Sequence, residues 1–262
     1  MRIKPKKSLG QNFLVERNIA LKIVSALGLK ESDTVVEIGA GKGEITAQIA
    51  AKVKNLYALE LDRRLYPVLE DRLKVYPNAR LIREDVLKFD FTSIKSAKGS
   101  VKAFGNIPYY ITTAIIERLI QFRACLSEAF ITVQKEFATR VVAGPGSKEY
   151  GSLSCYVQYY AQPEISLRIS RGCFYPVPKV DSALLHLKFR DKPAVCVQDE
   201  AFFFKIIRAS FNQRRKILRN SLEGVVDPAK LAKVLDEGKL RPNARPEELS
   251  LENFAFLANF LA

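Results

Sequence analysis

The sequence predicts an α/β fold: a doubly wound, parallel sheet followed by a small all-helical domain. Three observations predict it. Short apolar, β-branched runs alternate with amphipathic stretches as far as residue 142. A glycine cluster, Gly39-Ala40-Gly41-Lys42-Gly43, separates one such run from a helical one. Beyond Asp199 the strand patterning stops and the chain becomes helical and basic.

The elements follow in order. Ile19, Ile23, Val24 and Leu27 recur at helical spacing, and Gly28 closes that helix. Thr34–Ile38 reads as a buried strand and Glu44–Lys52 as the helix after the glycine cluster. Asn55–Leu61, Ala79–Arg83, Val101–Phe104 and Ala129–Gln134 are further strands, with helices over Arg63–Val75, Thr112–Phe122 and on to Val142. Right-handed crossovers put the loops after these strands on one rim, where open α/β sheets bind ligands. Gly144–Gly151 reads as a mobile loop. Glu164–Ile169 and Ala183–Phe189 are two late strands joined through Pro176 and Pro178, and Asp191–Pro193 is a linker. Helices then cover Phe202–Ser210, Arg214–Leu222, Pro228–Leu235 and Leu251–Leu261. Residues 1–192 are thus expected to form the sheet domain and residues 193–262 the helical one.

The charge narrows the partners. Forty-two Lys and Arg against 28 acidic residues give +14, which points to a polyanion such as nucleic acid. The four cysteines, Cys125, Cys155, Cys173 and Cys196, are too scattered for a structural zinc site and too few for a disulfide framework, so no metal is expected. The single histidine, His186, lies in an alternating run and reads as a strand residue, which disfavours any mechanism built on a histidine base. No apolar run approaches the ~18 residues of a membrane span, and the basic N-terminus lacks an apolar region after it. A soluble, cytoplasmic protein with no membrane attachment is expected.

The glycine cluster lets a ligand approach the backbone closely. Glu44 stands where a dinucleotide fingerprint needs its third glycine, and no Gly-Lys-Ser or Gly-Lys-Thr closes the loop. Gly39 and Gly41 therefore suit a ligand without phosphates, a nucleoside with an amino-acid tail. Glu60 stands 21 positions after Gly39, close to the ~20-residue offset at which an acid reaches ribose hydroxyls. Asp85, at the end of the third strand, is placed for an adenine amine, with a turn cap as the plainer reading. Phe104-Gly105-Asn106-Ile107-Pro108-Tyr109-Tyr110 is the most specific segment. The amine of adenine is a weak nucleophile, and acceptors for its two hydrogens favour the tetrahedral transition state. The Asn106 side chain and the Ile107 carbonyl supply acceptors, Pro108 stiffens the turn, and Tyr109 offers a face for an unstacked base. In-line methyl transfer needs positioning more than a strong base.

With these motifs the chain resembles the small-subunit ribosomal RNA adenine N6,N6-dimethyltransferases (the KsgA family) over nearly its whole length. Lys7–Leu14 resembles the family's N-terminal cofactor motif. Glu37–Gly43, Glu60–Asp62, Glu84-Asp85 and Asn106–Tyr109 resemble its cofactor and active-site motifs, Gly144–Gly151 its mobile loop, and Phe174–Ser182 the motif carrying an aromatic residue. Phe211–Leu222 and Arg245–Ser250 resemble signatures of its helical domain. The resemblance implies a Rossmann-like class I methyltransferase sheet in 1–192 that binds S-adenosylmethionine, with Asn12 and Leu14 touching this cofactor and Phe174 facing the target base opposite Tyr109. It implies that 193–262 binds RNA or the subunit. The implied reaction is dimethylation of two adjacent adenosines in the 3′-terminal hairpin of 16S rRNA during assembly of the small ribosomal subunit, by a monomer with no obligate protein partner. Tyr110 and Ala114 depart from the family's usual Asn and Pro and flank the base pocket.

Three rivals are kept. Large-subunit rRNA methylases of the antibiotic-resistance type share the Asn-Ile-Pro-Tyr core, but the two helical-domain signatures favour the small-subunit type. DNA adenine methylases usually carry Asp or Asn followed by two prolines. A non-catalytic RNA- or DNA-binding scaffold would tolerate loss of Asn106 or Tyr109, and both are intact. For RNA contact, Arg214, Arg215, Lys216 and Arg219 place four cations within six residues, and Lys4, Lys6 and Lys7 form a second basic group. Reversal of Arg214, Arg215 and Lys216 to Glu is expected to weaken small-subunit binding and flatten its salt dependence in a filter-binding titration, with S-adenosylmethionine affinity near wild type. Equal loss of both would mark the cluster as structural.

Overall fold

The computed structural model describes residues 3–6, 9–94, 100–212 and 216–262. Its strands are β1 (Phe13–Leu14), β2 (Thr34–Ile38), β3 (Asn55–Leu59), β4 (Ala79–Ile82), β5 (Val101–Asn106), β6 (Leu126–Gln134), β7 (Ala161–Ile169), β8 (Phe174–Tyr175) and β9 (Ser182–Phe189). Seven of them form one sheet in the order β4-β3-β2-β5-β6-β9-β7. Strands β4, β3, β2, β5 and β6 are parallel neighbours. Strand β9 runs antiparallel to β6, so the sheet is mixed where the alternation of strands and helices predicts it parallel. That alternation ends before β9, and no helical crossover imposes a direction there.

Every residue of β2 is buried, as expected for a central strand covered on both faces. Helices α1 (Arg17–Ala26) and α2 (Glu44–Ala50) pack Ile23, Val24 and Ile49 with Val35, Leu56 and Phe104. Leu65, Leu69 and Leu73, at and within α3 (Tyr66–Leu73), pack with Ala58 in a second cluster. Helix α4 (Thr112–Gln121) buries Ile115, Ile116, Leu119 and Ile120. Two short strands that sequence patterning missed, β1 and β8, pair antiparallel as Phe13↔Tyr175 and Leu14↔Phe174. Two residues are too few to show a periodicity.

The chain divides into two compact units, residues 1–138 with 164–189, and residues 139–163 with 190–262. The expected boundary at 192/193 is therefore too simple, because 139–163 belongs with the helices. Helix α5 (Lys135–Val142) runs into this segment, and α6 (Ser152–Tyr160) lies in it unpredicted. The rings of Tyr156 and Tyr159 meet Phe204 of α7 (Glu200–Phe211), and both Tyr159 and Tyr160 donate to the Glu200 carboxylate. The expected mobile loop 144–151 is anchored twice: Gly146 N–H donates to Glu247 O, and Tyr150 is buried with its ring against Phe211. Within the span of the expected helix over Arg214–Leu222, the described residues hold α8 (Leu218–Ser221), with Ile217 extended before it. Arg214 and Arg215 lie outside the described residues. Helices α9 (Pro228–Glu237) and α10 (Leu251–Leu261) are capped by Asp227 and Ser250.

His186 is a strand residue, as expected, but with ionic company. Its ring stacks on Phe130 at 4.1 Å between centroids, and its nitrogens meet Glu128 at 2.7 Å and Glu164 at 2.9 Å. Glu128 also pairs with Lys102, which pairs with Asp33, so a charged ladder crosses the sheet. Burial disfavours the imidazolium, but the two carboxylates outweigh it and raise the His186 pKa. The folded state thus holds this proton more tightly than the unfolded chain. The added stability is complete below about pH 6.5, the ordinary histidine value, and is lost as pH rises through the folded value. Melting curves of wild type and His186→Gln are expected to differ most near pH 6 and to converge at higher pH. A pH-independent gap would leave His186 only its packing role.

Candidate active site

The ends of β2, β3 and β5 open into a cavity of about 490 Å³. Beyond β2 the backbone turns at Gly39, Gly41 and Gly43, with φ of 75°, 60° and 79°, a region that L side chains rarely adopt. Gly39 and Ala40 N–H both donate to Leu59 O, which ties the start of the turn to the end of β3. Glu60 ties its middle. Its Oε2 accepts from Gly41 N–H at 2.8 Å, and its Oε1 from Leu61 and Asp62 N–H at 2.9 and 2.8 Å. Burial raises the Glu60 pKa against the opposing pull of these N–H groups.

The N-terminal segment covers another wall. Gln11 donates to Asp62 Oδ2 at 2.9 Å and accepts from Lys6 N–H at 2.8 Å. The Arg64 guanidinium, with help from Gln11, holds the Asp62 carboxyl down at about 2, so this anchor stays ionised. Val15 N–H donates to Cys173 O, continuing the pairing of β1 with β8. Asn12 and Leu14 thereby reach the cavity, and the Phe13 ring lies against Gly41 with the Lys42 ammonium 4.7 Å from its centroid.

The third wall follows β5. The Asn106 side-chain nitrogen donates to Asn12 O at 3.4 Å, and its Oδ1 has no protein partner among the described residues. Pro108, at φ −62°, leads into a 3-10 turn over Tyr109–Ile111. The Tyr109 hydroxyl is 2.6 Å from the buried Ser182 hydroxyl, which fixes the ring, and burial raises its pKa. The cavity can thus accept hydrogen bonds at Asn106 beside an aromatic face at Tyr109.

Asn12, Leu14, Gly39, Gly41, Glu60, Asp85, Asn106, Pro108 and Tyr109 all line this one cavity. Asp85 also fills its plainer role, since its Oδ1 accepts from Leu87 N–H at 3.0 Å. Phe174 is not brought to the cavity. It is 2% exposed and packs in the core with Leu14 and Ile23, while its neighbour Tyr175 is exposed. In an extended pair successive side chains point to opposite faces, so burying Phe174 turns Tyr175 out.

Glu37 falls in the resembling motif Glu37–Gly43 but has no role of its own in the sequence. It lines the cavity, is 2% exposed, and its Oε2 has no hydrogen-bond partner among the described residues. Burial first, then the nearby Glu60 carboxylate, raise its pKa to about 8 against a lowering contact from Thr46. Its signal was a lone acid inside the otherwise apolar and β-branched run Thr34–Ile38.

Residues 2–262 match the family described as ribosomal RNA adenine dimethylase. The chain belongs to this family. Within it, the chain is 42% identical to ribosomal RNA small subunit methyltransferase A of Clostridium botulinum (strain Loch Maree / Type A3), over 97% of this chain and 92% of that one. It is 43% identical to the protein of the same name from Geobacillus sp. (strain WCH70), over 98% and 91%. Two solved structures share the fold at 24% identity. The 23S rRNA methyltransferase ErmE aligns with a TM-score of 0.76 over 95% of this chain and 99% of that one. A dimethyladenosine transferase from Plasmodium falciparum aligns with a TM-score of 0.77 over 94% and 95%.

Because Glu37 holds its proton in the folded state up to about pH 8 and releases it near 4.5 when unfolded, folding stability falls as pH rises through that window. Glu37→Gln is expected to match wild type near pH 4.5 and to melt progressively higher than it up to about pH 8. Equal melting temperatures at pH 8 would show that the carboxylate is solvated or paired there.

Proposed function

We propose that this member of the ribosomal RNA adenine dimethylase family methylates the N6 amine of two adjacent adenosines in the 3′-terminal hairpin of 16S rRNA, giving N6,N6-dimethyladenosine while the small subunit is assembled. The observation that carries the reading is the Asn106 carbonyl, without a donor among the described residues, beside the tethered Tyr109 ring on one cavity. The small-subunit choice is supported by the names of relatives 42–43% identical over nearly the full length. The proposal includes action in the cytoplasm as a soluble monomer, with residues 193–262 contacting RNA. No helix among the described residues is long and apolar enough to cross a membrane.

S-adenosylmethionine is the methyl donor in this reading, and the cavity suits it. The ligand carries a sulfonium and an ammonium, and the walls hold two buried carboxyl groups, Glu37 and Glu60, the first with an oxygen that has no partner among the described residues and can ionise against a bound cation. Asn12, Leu14, Gly39, Gly41, Glu60, Asp85 and Asn106 would hold it, and when bound it supplies an electrophilic methyl group.

The chain's own residues do the rest. Asn106 Oδ1 and the Ile107 carbonyl accept the two hydrogens of the adenine amine and draw its nitrogen toward the tetrahedral geometry in which its lone pair can attack. The hydrogen bond from Asn106 to Asn12 O points Oδ1 away from that donor contact, and Pro108 limits rotation of the turn. Tyr109, held by Ser182, stacks on the base and aligns it. Phe174 faces the same base in this reading only after leaving the core, and Tyr175 is the aromatic of that pair already exposed.

Asn106→Ala is expected to lower methyl transfer by about 10²–10³-fold, the loss typical of one transition-state acceptor or donor, with the melting temperature retained. Transfer is followed with labelled S-adenosylmethionine on immature small subunits and, separately, on large-subunit rRNA and duplex DNA. Label confined to the latter two would overturn the small-subunit reading, label on none would favour a scaffold, and full activity of Asn106→Ala would remove its acceptor role.

A further inference from the structure

Tyr110 is the second aromatic of the turn that carries Tyr109, and the two differ in their surroundings. Tyr109 is partly buried and tethered to Ser182. Tyr110 is 67% exposed, yet it too lines the cavity. One side of its ring is seated on Gly10, whose backbone lies at φ 57°. A Cβ at Gly10 would come within 3.1 Å of Tyr110 Cδ1 and Cε1, so the missing side chain is what lets the ring settle there. The seat is itself fixed, because Gln11 next to it is bonded to Asp62 and to Lys6 N–H. The same segment carries Lys4 and Lys6, both exposed. A ring seated on one side with its other face open, at the mouth of a base-sized cavity and on the same wall as a segment with exposed cations, is the combination that single-stranded nucleic acid recognition uses.

We infer that Tyr110 stacks on the nucleobase adjoining the target adenine, and that Lys4 and Lys6 meet the phosphates flanking it. A base drawn out of its stack leaves its neighbour with an uncovered face, and a ring at the cavity mouth restores that contact. This rests on the adenine-methylation reading and adds a residue that selects RNA by what lies beside the target. The hydroxyl of Tyr110 has no part in the contact, so phenylalanine suffices.

The experiment uses the full chain and an RNA hairpin with 2-aminopurine at the position adjoining the target adenosine. Stacking keeps this base dark, and loss of stacking brightens it. Wild type and Tyr110→Phe are expected to bind with the probe quenched. Tyr110→Ala is expected to brighten it and to weaken RNA binding roughly 5- to 100-fold, the range for one base–aromatic stack. Tyr110→Leu, which keeps apolar cover over Gly10, serves as a second variant should Tyr110→Ala not fold, and is expected to behave as Ala. Unchanged emission and affinity in Ala and Leu, or a Phe variant as weak as Ala, would overturn the inference. Methyl transfer to the unmodified hairpin and to small subunits is measured with wild type in parallel. Transfer with unchanged emission in the variants removes this inference alone, whereas no transfer to either removes the adenine-methylation reading with it.

Discussion

The site depends on one constraint: β2 is paired in parallel on both sides, with Ile38 opposite Leu59 in β3 and Gly105 in β5. This register ends three strands at the same level. The next residue along the chain in each case, Gly39, Glu60 and Asn106 (the last of β5), then has no choice but to share one edge of the sheet. Shift one strand by a single residue and its side chains change faces. The Asn106 amide would lose Asn12, and Glu60 would lose Gly41. The full burial of β2 makes such a shift costly, since every one of its residues would have to repack.

On that frame the cavity holds an electrostatic tension. Glu37 and Glu60 are both buried, and the Glu60 carboxylate adds to the cost of ionising Glu37. Glu60 is compensated by three backbone N–H groups, which also shape the glycine turn. Glu37 is not compensated at Oε2. An apolar residue in its place would avoid this desolvation cost. Asp62 shows the contrasting arrangement: saturated by Arg64 and Gln11, it is a permanent anchor for the N-terminal wall.

The rim has a different physical character from the floor. Below, hydrogen-bonding groups are fixed by backbone contacts; at the mouth, Tyr110, Val15 and Leu61 are exposed. Polar groups with single geometries suit a reaction that tolerates little displacement of its atoms. Open aromatic and apolar surface suits a polymer that must be gripped around the reacting base whatever its local twist.

The sequence by itself determined the alternation of strands and helices, the glycine turn, the acids at strand ends and the Asn106–Tyr109 segment, because periodicity and backbone restrictions act over a few residues. It also determined that His186 lies in a strand. Only the tertiary structure decided that β9 returns antiparallel, that 139–163 packs with the helices through Tyr156, Tyr159 and Tyr160, and that α8 is a single short turn. It also decided that Phe174 faces inward and Tyr175 outward, and that Glu37 stands at the cavity wall without a donor. These depend on contacts between residues far apart in the chain, where packing and desolvation outweigh local preference, and no short window of sequence contains both partners.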